Sequence, residues 1–154
     1  MNGAIESFDF YDCNLTSVTI QLLWDALLDS GVRKIKLNNG NKFFSRTNYR
    51  NSNVDFTGMD TNISLQELDL SKCHMREEDC RSLFISMKIN KGLEKLVLNY
   101  ICYKYLPNQI KRLIKKMMCE NITLLHCSLY MGENRKDGIF QMIKFHMELN
   151  RMWK

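Results

Sequence analysis

The sequence predicts an α/β fold: a row of about five stacked β-α units. Three observations carry this. Leu65-x-x-Leu68-x-Leu70-x-x-Cys73-x-Met75 follows the repeat template L-x-x-L-x-L-x-x-[N/C]-x-L, with Met in the last slot. Cys80, Leu83, Phe84 and Met87 come next at i, i+3, i+4 and i+7, which is one apolar face of a helix. The pattern restarts at Leu93 and recurs along the chain, so that strands open at residues 5, 32, 65, 93 and 124. One such unit cannot bury its own apolar side, and stacking five makes a shared core.

Unit one reads Ile5-x-x-Phe8-x-Phe10-x-x-Cys13-x-Leu15, with aromatics in two leucine slots. Thr16 or Ser17 suits the cap of a helix whose expected buried stripe is Val18, Leu22, Leu23, Ala26 and Leu27, with Gly31 as a left-handed stop. Unit two opens as Val32-x-x-Ile35-x-Leu37-x-x-Gly40 and then loses the pattern. Residues 38–64 are polar and asparagine-rich, with Phe43, Phe44, Val54, Phe56 and Met59 as apolar anchors, and read as an irregular half-repeat or a protruding loop. In unit three, Gly92 is expected to end the helix, and Glu77, Glu78 and Asp79 complement its positive end. Unit four reads Leu93-x-x-Leu96-x-Leu98-x-x-Ile101. Pro107 suits the first turn of its helix, Ile110, Leu113, Ile114, Met117 and Met118 share one face, and Asn121 suits a left-handed stop. Unit five, Leu124-x-x-Cys127-x-Leu129-x-x-Gly132, is weaker. Asn134 can cap a last helix with Ile139, Ile143, His146, Met147 and Asn150 as its stripe.

Units of 27 to 33 residues, each long enough for a true helix, resemble the ribonuclease-inhibitor-like subclass of leucine-rich-repeat proteins. The resemblance spans nearly the whole chain and is strongest in units one, three and four. It implies a short curved leucine-rich-repeat solenoid with a parallel concave sheet and convex helices, a single domain over residues 1–154 with the irregular segment at 38–64 and a C-terminal capping helix at about 135–153. Small repeat proteins of the tropomodulin type, with an elongated last helix, are similar in outline only.

Composition narrows the class. Apolar residues make up 45% and charged residues 25% of 154, an ordinary soluble balance. No apolar run is long enough to span a bilayer, and Met1 to Phe10 lacks the apolar core of a secretory signal. Six cysteines without C-x-x-C spacing read as free thiols in a reducing compartment, cytoplasm or nucleus, with no paired spacing for a metal. Phosphate-cradling glycine motifs are absent. A Cys127–His126 nucleophile pair is conceivable, but Cys127 sits in an inward slot, where a structural thiol is the default. No enzyme activity, cofactor or small-molecule substrate is therefore expected.

The net charge of +5 is uneven. Residues 1–87 carry 9 basic and 12 acidic side chains (−3), and residues 88–154 carry 13 and 5 (+8). On the concave face, Asp9, Lys36, Asp69, Val97 and Ser128 are expected side by side, with Lys36 pairing to both acids. Lys95, Asn99, His126 and Tyr130 then form the concave partner-binding patch, and Lys42, Arg46, Tyr49 and Arg50 a basic, aromatic patch on the loop. Lys111, Arg112, Lys115 and Lys116, with Arg135 and Lys136, form a convex basic face suited to RNA phosphates. The first strand also leaves the stack without an N-terminal cap, an edge that another protein could cover.

The expected function is a non-catalytic protein-protein interaction scaffold, a subunit of a larger intracellular assembly. The alternatives are a ribosome-associated component gripping ribosomal RNA through its basic C-terminal half, and a tropomodulin-like cytoskeletal regulator. The expected partners are protein or RNA, not a membrane.

Overall fold

The computed structural model describes residues 5–13, 15–38, 54–73, 75–99, 107–129 and 138–153. Five strands run through them: β1 (Ser7–Asp9), β2 (Lys34–Lys36), β3 (Glu67–Asp69), β4 (Lys95–Val97) and β5 (His126–Ser128). Each opens two residues after the apolar residue that starts its unit. They form one parallel sheet in chain order, β1-β2-β3-β4-β5. Phe8, Ile35, Leu68, Leu96 and Cys127 pair in one row, and Asp9, Lys36, Asp69, Val97 and Ser128 in the next. Four helices are described: α1 (Ser17–Leu28), α2 (Glu77–Ile89), α3 (Asn108–Glu120) and α4 (Gly138–Met152).

Burial follows the two-residue period of a strand. Ile35, Leu68 and Leu96 in the strand centres, and Leu37, Leu70 and Leu98 just beyond, are all buried, while the residues between them are not. Each such side chain contributes about 1.5–3 kcal/mol on leaving water. The helices close the core with Cys80, Leu83, Phe84 and Met87 from α2, and Ile110, Ile114, Met117 and Met118 from α3. Ile139, Ile143 and Met147 do the same from α4, whose span falls within the stretch expected for the last helix.

Helix α1 corrects the expected stripe. Thr16 caps it, its hydroxyl accepting from the Thr19 N–H at 3.3 Å. However, its core face is Ser17, Ile20, Trp24 and Leu27, whereas Val18 and Leu22 are 61% and 67% exposed and Ala26 is also exposed. The largest side chain decides the helix rotation. Trp24 meets Phe56 edge-on, ring centres 4.9 Å apart, and only one rotation of α1 allows it.

Unit two has a 3-10 turn, Thr57–Met59, where its neighbours have an α-helix. Val54, Phe56 and Met59 are fully buried, and main-chain groups tie this segment to α1 and α2. The Val54 N–H donates to Asp79 Oδ1 at 2.8 Å, the Asp55 N–H to Gln21 Oε1 at 2.6 Å, and the Phe56 N–H to Ser82 Oγ at 2.7 Å. Asp79 also accepts the Arg76 N–H at 2.7 Å, closing the N-terminus of α2. Burial pushes its carboxyl above the usual range, against the pull of those two N–H donors. Phe43 and Phe44 lie outside the described residues.

The turns from helix to strand, and the last turn of α4, hold a row that the repeat template does not mark. Asn62, Asn90, Asn121 and Asn150 stand at equivalent points, the first three each three residues before an opening leucine. The Asn90 amide donates to Met59 O at 2.6 Å and Asn62 O at 2.8 Å, and its oxygen accepts the Gly92 and Leu93 N–H groups at 3.1 and 2.8 Å. Asn121 donates to Met87 O and Asn90 O, and Asn150 to Asn121 O and Leu124 O. Each asparagine therefore stitches its turn to the previous one.

This row overturns two expected helix stops. Asn90 and Asn121 end α2 and α3 in extended, not left-handed, conformations. Gly92 is not left-handed either. A Cβ there would meet the Ile63 main chain at 2.7 Å, so the glycine is needed for close approach between turns. Gly31, at φ +72, is the one glycine among those described that is left-handed. Cys13 also departs from the expected interior thiol and is exposed, whereas Cys73 is buried and bonds to Leu37 O.

Candidate partner-binding surface

The face of the sheet turned away from the helices carries the residues expected to form the partner-binding patch. Lys36 reaches Asp9 at 3.8 Å, but its expected second pairing is not formed. Asp69 instead accepts from the Ser71 N–H at 2.8 Å and lies 3.4 Å from the Asn38 amide, because a local turn bond is cheaper in side-chain freedom than a long lysine reach. Lys95 crosses to Glu67 at 2.7 Å, and that hydrogen bond holds the Glu67 carboxyl below the usual range. Asn99 accepts from Ser128 Oγ at 2.7 Å. His126 is exposed beside them.

Three of the four expected sheet residues, Lys95, Asn99 and His126, thus lie together at the β4–β5 end, two of them already hydrogen-bonded to neighbours. Tyr130 lies outside the described residues, as do all four loop residues, Lys42, Arg46, Tyr49 and Arg50, and His74.

The basic set lies elsewhere. Arg112, Lys115 and Lys116 are exposed on α3 and Lys111 is half-buried, on the side opposite Ile110, Ile114 and Met117. Lys88 bridges α2 to α3 through Glu120 at 2.9 Å. Arg135 and Lys136 are outside the described residues. The sheet-face and helix-face sets therefore do not converge on one site.

A cleft of about 540 Å³ lies between β5 and α4. Phe140, Ile143 and Met147 give it an apolar wall, and Lys144, Glu148 and Arg151 a charged rim. The apolar spacing of α4 was visible in sequence. The cleft was not, since it depends on how far α4 stands from the free edge of β5. The Cys127 thiol is pushed up to about 12 by burial, which removes the thiolate that a nucleophile needs. Burial raises the Cys80 thiol as well. Among the described residues, no cluster of His, Cys, Asp and Glu could hold a metal ion, and no helix is long and apolar enough to cross a membrane.

No protein-family model and no curated protein matches the chain. Solved structures do. The tropomodulin C-terminal domain of Caenorhabditis elegans is similar over 99% of this chain and 87% of its own, with TM-score 0.75 and 16% identity. A structure described as leiomodin-1 actin-binding site 2 is similar over 96% of this chain and 81% of its own, with TM-score 0.69 and 16% identity. At that identity the likeness concerns the fold.

These likenesses correct two expectations. Both of these solved structures are tropomodulin and leiomodin domains, not ribonuclease-inhibitor-like leucine-rich-repeat proteins. The ribosome-associated, RNA-binding expectation falls with the same finding. Lys111, Arg112, Lys115 and Lys116 are the solvated face that an amphipathic helix needs in any case.

Proposed function

We propose that this chain is a non-catalytic protein-interaction module of the tropomodulin and leiomodin kind, that it acts in the cytoplasm, and that its partner is actin. One observation carries the reading: the five-strand, four-helix arrangement is similar over 96% of the chain to a structure described as an actin-binding site. In this reading the whole chain is one curved stack of units. The partner meets the open sheet face through Lys95, Asn99 and His126, with Tyr130 and the loop residues Lys42, Arg46, Tyr49 and Arg50, which lie outside the described residues, as further contacts.

Co-sedimentation with filamentous actin, and fluorescence anisotropy with monomeric actin, test the reading. We expect saturable binding, weakened at least tenfold by the double substitution Lys95→Glu, His126→Glu. A chain with native circular dichroism that binds neither form of actin more tightly than about 100 µM, about −5.5 kcal/mol, would overturn it.

A further inference from the structure

The strand pairing contains a repeated bond that the last strand completes with a side chain. The carbonyls of Glu6, Arg33, Gln66 and Glu94 hold equivalent positions, each one residue after a unit's opening residue. Each accepts two main-chain N–H groups from the next unit, at 2.8–3.0 Å. Leu125 is fifth in this series. Its carbonyl accepts Arg151 Nε at 3.1 Å instead. The guanidinium stands where the main chain of a sixth strand would pair, and its two terminal nitrogens are left for an anion.

Around that point β5 has, among the described strands, no neighbour on its outer side. His126 and Ser128 turn toward β4, so by alternation the main-chain groups of Cys127 and the N–H of Leu129 turn toward the cleft. The cleft itself offers an apolar wall and a rim on which the cations Lys144 and Arg151 outnumber the acid Glu148. It therefore suits an extended parallel segment with apolar residues on one side and acids nearby.

The opposite edge of the same sheet is such a segment. Among the described strands β1 pairs with β2 alone, and its sequence, Ile5-Glu6-Ser7-Phe8-Asp9-Phe10, sets Phe8 and Phe10 on one side and carries the acids Glu6 and Asp9. Phe8 and Phe10 are stacked, centres 5.8 Å apart, and only partly buried, and Ile5 and Tyr11 are 62% and 61% exposed. The charges at the two ends oppose. Residues 1–31 hold five Asp or Glu and no Lys or Arg, whereas residues 124–154 hold five Lys or Arg against three acids.

We infer that the β5–α4 cleft is a docking site for the β1 edge of a second copy of this chain, giving head-to-tail association. In the register of the sheet, Ser7 of the incoming copy aligns with His126 and Asp9 with Ser128. Glu6 falls beside Leu125, within reach of Arg151. Docking hands the Leu125 carbonyl from Arg151 Nε to main-chain N–H donors and frees the guanidinium to bind the Glu6 carboxylate, as Arg33 approaches Glu6 at 4.0 Å within one chain. Such an interface is heterologous. It leaves a free edge at each end and grows into an open series, not a closed dimer.

Sedimentation velocity on the full chain tests this, from about 10 µM to about 1 mM at each of two salt concentrations, about 50 mM and about 500 mM. We expect sedimentation coefficients that rise with concentration without a plateau at the dimer, less so in high salt. Two variants block different ends: Ser7→Pro removes an edge N–H of β1, and Arg151→Glu reverses the rim charge. Each alone should remain monomeric, and an equimolar mixture should give a species that stops at two chains. Wild type that stays monomeric throughout would overturn the inference, as would a closed dimer or a mixture that stays monomeric while both variants keep native circular dichroism.

Discussion

Replacing Asn90 by Ala should cost far more than its place in a surface turn suggests. Asn90 is 2% exposed and makes four hydrogen bonds, two donated to Met59 O and Asn62 O and two accepted from Gly92 and Leu93. At about 1 kcal/mol net for each bond, the loss is about 4 kcal/mol. For a chain of this length about 1 kcal/mol moves the midpoint by about 2–4 °C, so thermal unfolding should fall by about 8–16 °C. Asn90→Asp is the sharper variant, because it keeps the shape and the two accepted bonds. It sets a carboxylate oxygen against two carbonyl oxygens now 2.6 and 2.8 Å from the amide. Its cost should match or exceed that of Ala at neutral pH, and shrink in acid as the carboxyl regains a proton to donate. Circular dichroism at the helix band measures both variants against Asn108→Ala, an exposed residue whose loss should stay within about 0.5 kcal/mol. A drop of less than about 3 °C for Asn90→Ala, against the full range derived above, would refute the idea that the asparagine row joins the units.

Three other outcomes follow from the packing. Phe56→Ala removes the ring that meets Trp24 and should cost about 3–5 kcal/mol in a urea titration; a loss below about 1 kcal/mol would mean that unit two is not part of the shared core. Gly92→Ala should cost about 1–3 kcal/mol by pushing on the Ile63 main chain, whereas Gly138→Ala, with nothing within 4 Å, should be neutral or slightly stabilising. A double-mutant cycle on Glu67 and Lys95 should give about 0.2–1 kcal/mol at neutral pH. Because the Lys95 hydrogen bond holds the Glu67 carboxyl below the ordinary glutamate range, this coupling is fully present above that range and disappears as pH falls through the lowered pKa. A coupling that persists in strong acid would show that the pair does not depend on the carboxylate.

The sequence alone determined where the strands are and which of their residues face inward. The reason is local: a strand alternates every two residues, so Leu65-x-x-Leu68-x-Leu70 and its four relatives announce both position and orientation. The core face of α3, with Ile110, Ile114, Met117 and Met118, was legible for the same reason, because its polar and apolar sides are cleanly separated. In α1 they are not, and both Val18–Leu22 and Ile20–Trp24 have helical spacing. Only the tertiary structure decided between them, because the choice depends on Phe56, which lies 32 residues after Trp24. The asparagine row and the Gly92 contact join residues about as far apart, and a single unit contains only half of each bond. The β5–α4 cleft is likewise a property of two surfaces, not of either segment. What one unit does within itself is written in its own residues, and what units do to each other appears only once they are packed.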